Sequence, residues 1–221
     1  MNCNKNKPIA FASWSGGKDC ALALYKARLA GINVKYILNM ADSGGVYSRS
    51  HHLRADVLRR QAACMGAVLV QPKAGWDDYE QKFTETLVKL RRRHTAVGIF
   101  GDIDLQVHRD WVEKVCRRAG VRPVLPLWLK PRRRLMNELI KAGFKAIVVA
   151  LRADLLGPQW LGRQIDSSFV RDLAKLGTID LCGEGGEYHS LVYDGPIFKQ
   201  PLRFKVGKRH KRGNHRFLDI V

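Results

Sequence analysis

Two short stretches of this 221-residue chain carry side chains that can do chemistry. The first is Ser15-Gly16-Gly17-Lys18-Asp19-Cys20, which follows an apolar run and precedes a helix-forming segment. A glycine pair allows a tight turn with no Cβ in the way, so backbone N–H groups can close on an anion. The free N–H groups at the start of the following helix point back at the same place. Ser15 adds a hydroxyl and Lys18 a full charge, which together outline a phosphate cradle. An ordinary strand–turn–helix uses the same residues, and Walker A spacing is absent. The second stretch is Gly183-Glu184-Gly185-Gly186-Glu187-Tyr188-His189-Ser190. Glu184 and Glu187 could orient an amine or hold magnesium, which takes one or two carboxylates plus phosphate oxygens. His189 beside them could move a proton. A flexible polar turn accounts for the same pattern.

These residues need elements to position them. Residues 9–14 form a short apolar run, the mark of a strand covered on both faces. Further strands are expected at 34–40, 67–70, 96–100 and 121–125, alternating with helices over 18–30, 53–65, about 77–90 and 108–119. Asp77 is placed to cap the third helix. Tyr79, Phe83, Leu87 and Leu90 recur at helical spacing and read as core packing. Successive strand–helix pairs predict an α/β fold with a doubly wound parallel sheet. Ligands of such sheets bind outside the carboxyl ends of the strands. Residues 15–19, 40–43 and 101–104 all fall at those ends, so Gly101-Asp102-Ile103-Asp104 is expected beside the glycine turn. Past Pro126 the rhythm changes, so the chain divides into a first unit, 1–127, and a smaller C-terminal α/β unit, 128–221. A helix over 133–142, a strand over 146–151 and a short helix over 169–176 are expected there.

Composition bounds the partners. Thirty-nine Lys and Arg against twenty Asp and Glu give a net charge of +19, which attracts polyanions such as RNA, ribosomes and nucleotides. The charge is densest at 91–94, 130–134 and 199–216, with no aromatic-studded RNA motif beside it. No apolar run approaches the ~20 residues of a membrane span. The polar start, 1–7, leads straight into the first strand, unlike a secretory signal. Five scattered cysteines with no Cys-x-x-Cys predict reduced thiols, a cytoplasmic protein and no zinc site.

The run Ser15-Gly16-Gly17-Lys18-Asp19-Cys20 resembles the PP-loop of the N-type ATP pyrophosphatases, with Cys20 where that superfamily usually carries Ser. Gly183-Glu184-Gly185-Gly186-Glu187-Tyr188, with Asp194-Gly195-Pro196 after it, is similar to the signature of the diphthine–ammonia ligase family within that superfamily. Arg49-Ser50-His51, Gly101-Asp102-Ile103, the segment bearing Arg109, Trp111 and Cys116, Pro126-Leu127-Trp128 and Gly143-Phe144-Lys145-Ala146 extend the resemblance across the chain in order. It implies adenylation of a carboxylate by ATP with Mg2+, release of pyrophosphate, and amidation by ammonia. The acceptor in the family is a modified histidine of elongation factor 2. The resemblance implies Lys18, Glu184, Glu187 and His189 as catalytic residues. It implies nucleotide contacts from Ser13, Ser15, Gly16, Gly17, Lys18, Asp19, Cys20, Asn39, Met40, His51, Gly101 and Asp102, with backbone groups of residues 39–41 meeting the adenosine. Asp19, Asp102 and Asp104 are the implied metal ligands. His189-Ser190 stands where family members often carry Glu-Thr. With Cys20, this suggests a divergent branch of bacterial type, whose acceptor carboxylate would be another molecule. A PP-loop RNA-modifying enzyme and a nucleotide-binding module without turnover are the alternatives.

Overall fold

The computed structural model describes residues 8–49 and 51–221; the polar start, Cys3 and Ser50 lie outside the described residues. Five strands, β1 (Ile9–Ser13), β2 (Asn33–Leu38), β3 (Val68–Val70), β4 (Thr95–Ile99) and β5 (Arg122–Val124), form one parallel sheet in the order β3-β2-β1-β4-β5. The chain steps outward from β1 in both directions, so the order reverses between β1 and β4. That reversal opens a crevice at the carboxyl ends of these two strands.

Four helices cover the sheet: α1 (Lys18–Leu29), α2 (Ala55–Met65), α3 (Tyr79–Arg91) and α4 (Gln106–Ala119). Phe83, Leu87 and Leu90 of α3 and Val112, Val115 and Cys116 of α4 pack with Phe11, Leu38 and Phe100 on one face. On the other face, Ala21 and Leu24 of α1 and Val57 and Leu58 of α2 join a larger core. Asp77 does not cap α3. The helix begins at Tyr79, and the residue at the cap is Asp78, whose Oδ1 turns back to accept from the Gly75 N–H at 2.6 Å.

The larger core continues into the second half. Helices α5 (Arg132–Lys141) and α6 (Ser167–Lys175) pack with an antiparallel sheet of β6 (Lys145–Arg152), β7 (Tyr188–Asp194), β8 (Val206–Arg212) and β9 (His215–Ile220), in the order β7-β6-β9-β8. β7 begins at Tyr188, so the end of the second glycine motif is already strand. The basic stretch 199–216 contains β8 and runs into β9, a hairpin anchored by the buried Leu218 and Ile220. Cys20, Cys64, Cys116 and Cys182 are buried free thiols. Among the described residues no helix is long and apolar enough to cross a membrane.

The two halves are tied at the first glycine turn. The Val192 N–H of β7 donates to the Gly16 carbonyl at 2.9 Å. Gln61 of α2 is fully buried; its amide donates to the Gly16 and Val192 carbonyls at 3.1 and 2.6 Å and accepts from the Trp14 indole at 2.8 Å. Replacing it with an apolar isostere leaves the Trp14 indole N–H without its acceptor, takes the Gln61 donor from the Val192 carbonyl and leaves the Gly16 carbonyl with the Val192 N–H alone, a cost of roughly 2–3 kcal/mol. Gln61→Leu is therefore expected to lower the melting temperature by about 4–12 °C in a chain of this size, measured by circular dichroism.

Candidate active site

The β1–α1 turn, the end of β2, the end of β4 and the start of β7 enclose a cavity of about 290 Å3. Its wall brings together Ser13, Ser15, Lys18, Asp19, Cys20, Asn39, Met40, His51, Gly101, Asp102, Glu184 and His189. Gly16 and Gly17 lie behind that wall. At Gly16 the backbone takes φ +87°, and a Cβ on Gly17 would stand 2.3 Å from His51 Cε1 and 3.2 Å from the Ser190 carbonyl oxygen. The close approach is thus made by His51 and β7 at Gly17, and by Leu53 and the α2 residues Leu58 and Gln61 at Gly16.

Lys18 is almost wholly buried, and its Nζ bonds to Asp19 Oδ2 at 2.7 Å and to the Cys182 carbonyl. Burial is the largest single influence and opposes its charge, but Asp19, Tyr188 and Cys182 together outweigh it, so the ammonium persists far above its ordinary pKa. The turn's N–H groups are not all open: Gly17 N donates to Ser15 Oγ at 3.3 Å and Lys18 N to Ser190 Oγ at 3.1 Å. Cys20 bonds locally. Its thiol donates to the Gly17 carbonyl at 3.1 Å and lies 3.4 Å from Ser15 Oγ, and burial pushes its pKa up, so it stays a neutral thiol.

Glu184 reaches the cavity from the second glycine motif, where Asp180 accepts from the Cys182 and Glu184 N–H groups at 2.9 and 2.8 Å. The Ile103 N–H donates to Glu184 Oε1 at 3.2 Å, joining this motif to the end of β4. Burial, reinforced by Asp19 and Asp102, pushes the Glu184 carboxyl up to about 7. Glu187 and Asp104 stand apart from the cavity wall. Glu187 Oε2 is buried without a hydrogen-bond partner among the described residues. Asp104 is drawn to Arg132 at 2.9 Å, an ion pair that satisfies its charge away from the crevice.

His51 and His189 pack at 4.6 Å between ring centroids, their planes tilted by 31°. Burial and proximity to His189 push the His51 pKa far down; burial and Lys18 bring His189 down to about 4, so both rings are neutral at physiological pH. His51 Nδ1 lies 2.9 Å from the Ser190 carbonyl. A carbonyl only accepts, so Nδ1 carries the proton and Nε2 keeps a lone pair. The backbone at the end of β2 is largely committed: Asn39 N donates to Val70 O, Ala41 N to Pro72 O, and Met40 O accepts from Arg49 N. The Asn39 side chain donates to the Trp14 carbonyl at 2.8 Å and accepts from Gln71 at 2.9 Å.

Sequence reasoning missed part of the wall. Tyr79 and Phe83, read as core, also line the cavity, as do Arg49, His108, Tyr188 and Ser190. Helical spacing tells only that Tyr79 and Phe83 face inward. Arg49 lies in the long polar loop after β2, and that length was the available signal.

The Glu184 geometry has a measurable consequence. Its protonated form is favoured in the fold, so ionisation between pH 4.5 and about 7 costs stability as pH rises. Glu184→Gln is expected to match the parent near pH 4 and to be more stable by roughly 1–2 kcal/mol at pH 8. Thermal denaturation across that range tests it; a difference independent of pH contradicts the assignment.

Comparison with known proteins agrees with these features. Residues 8–123 match the family model of the diphthamide synthase N-terminal domain, and residues 131–221 match that of the C-terminal domain. A fission yeast (Schizosaccharomyces pombe) protein named diphthine–ammonia ligase is 30% identical over 93% of this chain, which spans 38% of that relative's length. The zebrafish (Danio rerio) protein of that name is 33% identical over 85% of this chain and 83% of its own, and the human one 27% identical over 85% and 79%. With both family models matched in order over nearly its whole length, the chain belongs to the diphthamide synthase family.

Proposed function

We propose that this protein is an ATP-dependent amide ligase: it joins a carboxylate to AMP, releasing pyrophosphate, and passes the acyl group to ammonia, releasing AMP. The observation that carries the reading is the meeting of Lys18 and Glu184 on one cavity wall, from motifs at opposite ends of the chain. The names of the relatives favour a diphthine-type carboxylate as acceptor, on elongation factor 2 or a related molecule.

The residues suit these steps. A carboxylate is a poor acyl donor until its oxygen is given a better leaving group. The α-phosphorus supplies one, and the departing pyrophosphate gathers negative charge. Lys18 holds a fixed positive charge at the turn, already oriented by Asp19. Ser15 and Ser190 occupy two N–H groups with neutral hydroxyl oxygens, which anionic phosphate oxygens outcompete. Glu184, titrating near neutral pH, takes the proton that ammonia sheds as the C–N bond forms. Neutral His51 and His189 keep further positive charge away from Lys18.

Magnesium is part of this reading. Among the described residues no group of three or more His, Cys, Asp and Glu could hold a metal by itself. A cation that takes most ligands from phosphate and water needs only one or two carboxylates. Asp102, on the wall beside Asp19, fits that donor set, and the two carboxylates leave negative charge for a cation to offset while Glu184 stays free to take the proton. Bound there with ATP, the ion would neutralise charge on the phosphates.

With ATP, Mg2+, ammonium and a carboxylate acceptor, the protein is expected to form AMP and pyrophosphate in equal amounts, read by ion-exchange chromatography. Lys18→Ala should slow AMP formation by about 100-fold or more. ADP as the product would overturn the reading.

A further inference from the structure

The hairpin β8–β9 presents a surface that the cavity chemistry does not use. Residues 199–216 hold eight Lys and Arg and no Asp or Glu. Among the described residues none of these eight forms an ion pair, whereas the basic run at the start of α5 is partly neutralised, Arg132 by Asp104 and Arg134 by Glu138. β8 is an edge strand exposed along its whole length, so its cations lie on an open ribbon.

Flat rings accompany the charge. His210 faces Phe217 across the hairpin and stacks on it at 5.4 Å and 21°; His215 lies 6.1 Å from the same ring at 28°. The loop after β2 extends the row: His52 packs on Phe217 at 4.9 Å, and Tyr47 stacks on His52 at 4.2 Å and 7°. Arg212 pairs across the strands with His215, on the face shared with His210 and Phe217. Asp219, 3.4 Å from the His210 ring, offsets a single charge.

Cations that follow a backbone, interleaved with planes on which bases stack, are the requirements of a single-strand binding surface. An acidic protein would need the charge but not the planes, and RNA is the polyanion most often met with unpaired bases. We infer that the β8–β9 face, with His210, Arg212, His215 and Phe217 extended by His52 and Tyr47, docks unpaired RNA. The surface adjoins the cavity, since His51, which precedes His52, packs against His189 in the cavity wall. It does not depend on the ligase reading.

Fluorescence anisotropy with the full chain and a labelled, unstructured RNA of about 12 nucleotides tests this. Lys208→Glu and Arg212→Glu together should weaken binding about fivefold or more, and flatten the slope of log affinity against log salt by about 1. Both positions are exposed, and circular dichroism checks that the fold is kept. His210→Ala should weaken binding about fivefold and leave the salt slope unchanged. Arg91→Glu, Arg92→Glu and Arg93→Glu together, on the separate basic spot at the end of α3, should leave binding as in the parent. Parent-like binding by the hairpin double variant overturns the inference. So does equal affinity for duplex RNA, or displacement of the RNA by polyglutamate at equal charge, which would mark a surface for acidic proteins.

Discussion

The structure depends on a turn that does not hold itself together. The Ser15-Gly16-Gly17-Lys18 backbone points its polar groups at a crevice, and such groups cannot be left buried without partners. Its partners come from far along the chain: Gln61 from α2, and Ser190 and Val192 from β7, with Ser190 Oγ accepting from Lys18 N across 172 residues of sequence. The antiparallel sheet thereby becomes the back wall of a site whose front wall is the parallel sheet. Neither sheet alone would fix Lys18, whose ammonium is held by Asp19 from its own helix and by the Cys182 carbonyl from the second motif. Helix α1, pressed between the two sheets, is accordingly buried at Cys20, Ala21, Leu22, Ala23, Leu24 and Ala27, with no wide polar face.

Legibility in the sequence follows this division. The parallel sheet was readable because each of its strands is an apolar or strand-forming run between helices with helical spacing. The convergence of residues 15–19, 40–43 and 101–104 followed from topology alone. The hairpin was not readable. β8, Val-Gly-Lys-Arg-His-Lys-Arg, buries nothing along its length and is a strand only because β9 pairs with it; the signal sits in Leu218 and Ile220 beyond the charge. Spacing also failed between Glu184 and Glu187. Asp180 and the Ile103 N–H fix Glu184 toward the cavity, while Glu187, three residues on, ends elsewhere, and no pattern in Gly-Glu-Gly-Gly-Glu says which carboxylate is which. Gln61 did leave a trace, as a polar residue on the apolar stripe of α2. Such a residue is kept where several buried groups need one amide to satisfy them.

The charges of the molecule are arranged in two opposed layers. Cations cover the outside, giving the +19 balance, while Asp19, Asp102 and Glu184 gather around the cavity. A positive exterior concentrates any polyanion near the mouth but does not discriminate among them. The interior carboxylates do discriminate. They repel a bare anion and admit one only when its charge is offset, by Lys18 or by a cation that arrives with it. Glu184 shows the strain of this arrangement, since its carboxyl is driven up to about 7 by burial and by its acidic neighbours. On the proposed ligase reading, the same strain sets a proton acceptor close to neutrality beside the forming C–N bond. On that reading, the acidity that costs the fold stability is what lets one small cavity sort its ligands and move a proton.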